Sequence, residues 1–474
     1  MSIDQDLIPL SAIQVVDLLK AGDITPLDCL DALEQRIAAV DGAVNALPTL
    51  ALERAREQAR DLMGQPVADR GMLAGLPVAI KDLTDVAGVR TTYGSPIFAT
   101  HVPETSDILV ERLETNGATI YAKSNTPEFG AGANTFNEVF GATLNPWNTS
   151  RSAAGSSGGA AAALATGTAW LAHGSDLGGS LRNPASFCGI VGMRPSPGVV
   201  ASNPGVPIDR LLSVQGPMAR NVEDCAFFLD ALAGDDARDP VSRPAPQSTY
   251  LSAVRSGWRP RRVAFSADLG ITPVDPEVAD ICRAAAYRFG EIGAVVEEAH
   301  PDFTDAHDCF NVLRAKGFSL SKKDLLERHR DLMKPEVVWN IEKGLALTMA
   351  DLHRAETQRA AIYARTLAFF DQFDLLCCPA TIVPPFPVGI RYPTNCNGVV
   401  FDNYVHWLAI AYAITLTGCP SISIPCGFTR DGLPVGLQVV ARQRGDATAL
   451  AGAKALEDVL GLRGMTPILP RAGM

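Results

Sequence analysis

Gly174-Ser175-Asp176-Leu177-Gly178-Gly179-Ser180-Leu181-Arg182 follows directly on an apolar, strand-like run, Ala169 to Ala172. Two adjacent glycines let the backbone turn sharply and crowd successive N–H groups together. N–H groups aimed at one point form an oxyanion hole when a nucleophile stands beside them, and Ser180 stands there. Gly-Gly-Ser is also ordinary turn chemistry, so this stretch needs partners elsewhere in the chain before it means catalysis.

Two other segments offer them. Ala154-Gly155-Ser156-Ser157-Gly158-Gly159 runs into the alanines of Ala160 to Ala165. Such a turn feeds a helix N-terminus, where N–H groups and the helix dipole are free; its plain reading is a capped helix or a small anion site. Gly155-x-Ser157-x-Gly159 matches the nucleophile-elbow pattern only formally, because that motif needs an acid and a histidine downstream in a set order. No Gly-Lys-Ser/Thr ending marks a phosphate loop. The other segment ends at Lys81, which closes the strand-like Val78-Ala79-Ile80 and precedes Asp82. A lysine there can simply reach solvent. Desolvated beside hydroxyl groups, its pKa drops from about 10.4 and it becomes a usable base. A serine triad built on histidine has His173 as its nearest candidate. It reads as a structural histidine, since triads are proven by geometry.

Outward from these motifs, strand and helix signals alternate. Ser11 to Leu47 reads as two amphipathic helices, with Thr25-Pro26 opening the second. Gly75 to Lys81 and Thr119 to Lys123 read as strands around a helix at Ser106 to Asn116. The alternation resumes at Arg262 to Ser266, Asp275 to Ile292 and Val295 to Glu298. Helical patterns follow at Lys322 to His329 and Leu345 to Phe370. The end returns to strands at Ser421 to Ile424 and Gly436 to Ala441, then a helix from Ala447 to Leu460. Asp235 to Pro260, rich in Pro, Asp, Arg and Ser, reads as a linker or surface loop. This pattern predicts an α/β fold, a sheet covered by helices.

The chain has 474 residues, 47% apolar and 20% charged, enough for a large core. Its net charge of -11 repels phosphate backbones and argues against nucleic acid as a partner. Met1 to Leu10 lacks the basic and apolar regions of a secretory leader, and no apolar stretch is long enough to span a bilayer, so a cytoplasmic location is expected. The ten scattered cysteines read as reduced core thiols, with Cys377-Cys378 on a buried strand.

Taken together, Gly75-Leu-Pro-Val-Ala-Ile-Lys-Asp82, Gly155-Ser-Ser-Gly-Gly159 and the 174–182 stretch resemble the amidase signature family. The lysine precedes Ser156 by 75 residues and Ser156 precedes Ser180 by 24, spacings similar to the family's. Lys123 to Glu128, Asn145-Pro-Trp147 and Gly432 to Gln438 also look like family segments. Ala153-Ala154 and Arg194-Pro-Ser196 depart from the commoner Pro-Gly or Gly-Gly and Lys-Pro-Thr. The resemblance implies one domain over 1–474, with a large mixed twisted β-sheet covered on both sides by helices. N-terminal helices at about 8–62 and a variable helical portion at about 300–370 would complete it. It further implies Ser180 as nucleophile, Ser156 on a cis peptide as relay and Lys81 as base. Backbone amides of Leu177, Gly178, Gly179 and Ser180 would hold the oxyanion. Ser175 would support the network and Asp176 and Arg182 would brace the loop. No metal or organic cofactor is implied, and a homodimer is allowed.

The implied activity is hydrolysis of a small carboxamide through an acyl-enzyme. Gly130 and Ala131 would border the acyl pocket, while Phe401, Tyr404, His406 and Trp407 read equally well as another wall, which would favour an apolar or aromatic amide, or as core. The rivals are an esterase, a glutaminase subunit of a tRNA-dependent amidotransferase, and a non-catalytic scaffold on the same fold.

Overall fold

Helix boundaries are set locally. Ser11 and Gln14 exchange bonds across the start of the helix Ala12–Ala21, and Thr25 with Asp28 does the same for Pro26–Val40, whose first residue is a proline. Leu19, Leu30, Leu33 and Ile37 of these helices are buried. The computed structural model describes residues 6–202 and 211–473. Met1 to Gln5, half of the segment read above as lacking a leader, lie outside the described residues.

Eleven strands form one sheet: β1 (Thr49–Leu50), β2 (Pro77–Lys81), β3 (Thr119–Ser124), β4 (Leu171–Asp176), β5 (Val191–Arg194), β6 (Val214–Ala219), β7 (Arg262–Phe265), β8 (Val295–Glu298), β9 (Leu375–Pro379), β10 (Ser421–Phe428) and β11 (Pro434–Val440). Their spatial order is β1-β3-β2-β4-β6-β5-β10-β11-β9-β7-β8. β3, β2 and β4 run parallel, as do β9, β7 and β8, while the strands between them are antiparallel. The sheet is therefore mixed, with helices on both faces, as expected. Its middle strands, polar residues included, are buried along most of their length because both faces are covered. Cys377 and Cys378 on β9 are fully buried, and all ten cysteines are free thiols.

The helix Gly158–Thr166 is buried at every residue. Its alanines and glycines allow that closeness: a Cβ on Gly159 would lie 2.3 Å from the Asn125 nitrogen and 2.6 Å from the Ala46 oxygen. Gly159→Ala is therefore expected to lower the unfolding temperature sharply, or to prevent folding, as thermal denaturation by circular dichroism will read.

Two expectations are corrected. The 235–260 segment is not merely a loop, since Thr249 caps a helix at Tyr250–Arg255 that buries Tyr250 and Val254. Helix does not begin at Lys322 but runs from Ala306 to His329, and a further helix occupies Pro335–Leu345. The first half of Ala306–His329 is buried on several sides (Cys309, Phe310, Val312, Leu313, Arg314), so it shows no amphipathic stripe in sequence. Among the described residues, no helix is long and apolar enough to cross a membrane.

Candidate active site

β2 and β4 are parallel neighbours, and their C-terminal ends bring Lys81 beside Ser175 and Asp176. Ser156 and Ser157 arrive at the same point from the turn that enters the buried helix Gly158–Thr166. Lys81 is wholly buried, and its Nζ donates to Ser156 Oγ at 2.7 Å, Ser157 Oγ at 2.8 Å and Ser175 Oγ at 3.1 Å. Three donors thus meet three hydroxyls. Burial pulls the Lys81 pKa down to about 7, while the charge of Asp176 opposes the fall. When the amine loses its proton it gains a lone pair, so one of these hydroxyls must turn and donate to it. Ser156, at the shortest distance, is best placed. The Gly155–Ser156 peptide is cis.

Ser180 stands half-buried at the wall of a cavity of about 430 Å³, which Ser156 and Ser175 also line. The turn that carries it is fixed by Asp176. Gly179 N donates to Asp176 Oδ1 at 2.9 Å and Leu181 N to Oδ2 at 3.1 Å. Arg182 grips the same carboxylate at 3.0 and 2.9 Å, and Arg194 Nη1 reaches the Asp176 carbonyl at 2.7 Å. Burial pushes the Asp176 carboxyl up, but Arg182 and Arg194 outweigh it and hold it well below the usual carboxylate range. Arg182 is held in turn by Gln438 Oε1 at 2.7 Å and the Ala411 carbonyl at 2.9 Å. This explains the Gly432 to Gln438 segment. Removing one member of so buried a pair strands the other charge. Asp176→Asn is therefore expected to cost about 3–5 kcal/mol, read as a lower urea midpoint.

The loop-bracing pair expected at Asp176 and Arg182 is thus present, with Arg194 as an unforeseen third member. The expectation of four oxyanion amides is corrected: the Gly179 N–H is spent on Asp176. Those of Leu177, Gly178 and Ser180 have no acceptor among the described residues.

His173 Nε2 donates to Gln215 Oε1, 2.9 Å away, and burial pulls the histidine's pKa down to about 3. It is neutral and held by the sheet, in keeping with a structural role. Lys123, the other fully buried lysine here, ties the Thr84 carbonyl (2.6 Å) and Thr91 Oγ1 (2.7 Å), away from the serines. Asn145 and Trp147 anchor their loop to the Phe187 and Cys188 carbonyls at the end of the helix after Ser180. Ala154 adopts a left-handed φ of 56°, the conformation that a glycine takes freely.

Of the two pocket residues expected, Gly130 lines the cavity and a Cβ on it would meet Leu83 Cδ1 at 3.0 Å. Ala131 does not: it is buried in a separate cluster with Leu326, Met333, Val337 and Ile341, and its carbonyl accepts from Lys334 Nζ at 3.0 Å. Of the two readings of the aromatic residues, the wall does not form. Tyr404 and Trp407 are core, Trp407 packing edge-on against Phe386, and none of the four aromatic residues lines the cavity. Sequence reasoning missed the true opposite wall, Leu313, Arg314 and Phe318 of the helix Ala306–His329. It also missed Gln215 and the contact of Ser157 with Lys81. Among the described residues, no group of three or more His, Cys, Asp or Glu comes together as a metal site would.

A buried lysine held by three serines, with a fourth serine beside it on a turn of spare amides, suits acyl transfer. Comparison with known proteins points the same way. The amidase family model matches residues 28–450. An acylamidase from Rhodococcus erythropolis is 35% identical over 462 residues, covering 96% of this chain and 96% of the relative. A glutamyl-tRNA(Gln) amidotransferase subunit from Moorella thermoacetica is 36% identical over 475 residues, covering 94% of this chain and 96% of the relative. A solved bacterial aryl acylamidase, itself an amidase signature enzyme, superposes with a TM-score of 0.87 at 28% identity, over 97% of this chain and 99% of that one. With motifs, fold and near-complete coverage agreeing, the chain belongs to the amidase signature family.

Proposed function

We propose that this protein is an amidase that hydrolyses a small carboxamide to a carboxylic acid and ammonia or an amine, through an acyl-enzyme on Ser180. The observation that carries this reading is the 2.7 Å bond between the buried Lys81 amine and Ser156 Oγ, at the edge of the cavity that Ser180 lines. Neutral Lys81 accepts the Ser156 hydroxyl proton as Ser156 accepts that of Ser180. Ser180 Oγ then bonds the carbonyl carbon, and the amides of Leu177, Gly178 and Ser180 take the charge on the oxygen. The proton returns through Ser156 to the leaving nitrogen and the C–N bond breaks. Water, deprotonated by the same relay, adds to the ester and releases the acid and Ser180. Ser175 keeps Lys81 in place through its 3.1 Å bond. The residues at 300–370 belong to the same catalytic unit, since their first helix walls the cavity. Ten buried thiols suit a reducing, cytoplasmic setting.

Hydroxylamine tests the acyl-enzyme. With an amide substrate it is expected to divert the acyl group to a hydroxamate, while the ammonia release rate stays set by acylation. Hydrolysis without any hydroxamate would point to direct attack by water and sink the covalent step.

A second reading is favoured by the 36% identity to the glutamyl-tRNA(Gln) amidotransferase subunit: the same site releasing ammonia from glutamine for a second protein. Hydrolysis of simple amides by the purified chain, with no second protein co-purifying, decides against it.

A further inference from the structure

The described residues that line the cavity include the cations Arg314, Lys316, Lys322 and Arg359 and the carboxylate Glu356. Glu356 lies 3.5 Å from Lys316. Arg314 is different from the other cations because it is 95% buried yet still opens on the cavity. Its Nε donates to Asn340 Oδ1 at 3.1 Å and one Nη to Tyr404 Oη at 3.0 Å, and its guanidinium lies 4.8 Å from the Phe318 ring centre. Every one of these partners is neutral, and the other Nη has no protein acceptor among the described residues. Among the described residues this buried guanidinium has neutral partners, open donors and no counter-ion, and its fork matches a carboxylate.

Its position relative to the chemistry is fixed by its helix. Phe310 packs on the nucleophile turn: a Cβ on Gly178 would lie 3.2 Å from Phe310 Cζ. Arg314 follows Phe310 by one helical turn on the same face, about 6 Å along the axis. We propose that the amide cleaved at Ser180 carries a carboxylate at the far end of a short acyl chain, and that Arg314 binds this carboxylate and sets the specificity. The proposal rests on the amidase reading above and narrows its substrate to carboxyacyl amides, whose product is a dicarboxylate.

The test compares succinamic, glutaramic and adipamic acids with the neutral butyramide, valeramide and hexanamide. In the wild type, kcat/KM for the best acid is expected to exceed that of its neutral counterpart by about 10- to 100-fold. Arg314→Gln is expected to erase that gap by raising KM for the acids, leaving kcat and the neutral amides within a few-fold. Arg314→Lys, which keeps the charge and also serves should the glutamine variant not fold, is expected to recover part of the preference. Faster hydrolysis of neutral amides by the wild type, or an equal loss on both series in Arg314→Gln, overturns the proposal and leaves the amidase reading standing. Hydrolysis of neither series, with no covalent labelling of Ser180, overturns the amidase reading itself.

Discussion

Ser180→Ala is expected to reduce kcat on any amide about ten-thousand- to million-fold and to abolish labelling by a fluorophosphonate, while the unfolding free energy changes by no more than about 0.5 kcal/mol. The size of the loss follows from the chemistry: without Oγ no acyl-enzyme forms, and what remains is binding and the oxyanion amides acting on water. The small effect on stability follows from the site. Ser180 is half-buried at a cavity wall, and the turn is held by Asp176, Arg182 and Arg194 rather than by the serine hydroxyl. Mass spectrometry of the labelled peptide distinguishes Ser180 from its rivals. Ser157 is fully buried with its hydroxyl on Lys81, so Ser157→Ala is expected to keep the label on Ser180 at a reduced rate. Label retained on Ser157 in the Ser180→Ala protein, or more than a tenth of wild-type activity there, would remove Ser180 from the centre of the mechanism.

The three central side chains were legible because each sits in a short motif whose backbone demands are local. Two glycines precede Ser180, glycines flank the Ser156-Ser157 pair, and an apolar strand ends at Lys81. The parallel pairing of β2 with β4 brings Lys81 to Ser175, and Ser156, 75 residues from the lysine, arrives from the turn before the helix Gly158–Thr166; no local pattern states either. The errors share a different origin. Gly130 and Ala131 are neighbours with opposite fates because Lys334 draws the Ala131 carbonyl away from the cavity. The Gly179 amide was assigned to the oxyanion by its place in the motif, but the carboxylate three residues earlier is a stronger acceptor and takes it. The cavity wall at Leu313, Arg314 and Phe318 was missed because a helix end buried on several sides shows no stripe. Tyr404, which the sequence left as either pocket wall or core, is buried and holds Arg314, a role visible only from the contact itself.

Lys81→Met is expected to lower kcat/KM about a thousand-fold or more and to remove an inflection that the wild type shows near pH 7. The sign follows from which form works. The relay needs the neutral amine, and burial sets the Lys81 pKa at about 7, so activity rises with pH through that value and levels off above it. Two neighbours supply controls. His173, pulled to about 3 by burial, is neutral across the range and gives no inflection. Lys123, pulled to about 8, bonds Thr84 and Thr91 rather than the serines, so its titration leaves the relay untouched. Stability carries the same signature. Between about 7 and the ordinary lysine value of 10.5, the unfolded chain binds a proton that the folded protein has released. The unfolding free energy therefore climbs with pH across that window, and Lys81→Met removes its share of the slope. A wild-type profile that is flat from pH 6 to 9, or an inflection that survives in Lys81→Met, would show that the titration of Lys81 does not set the activity. The proton leaving Ser156 would then need another acceptor, and among the described residues no other hydrogen-bond partner of Ser156 Oγ comes as close as the lysine, at 2.7 Å.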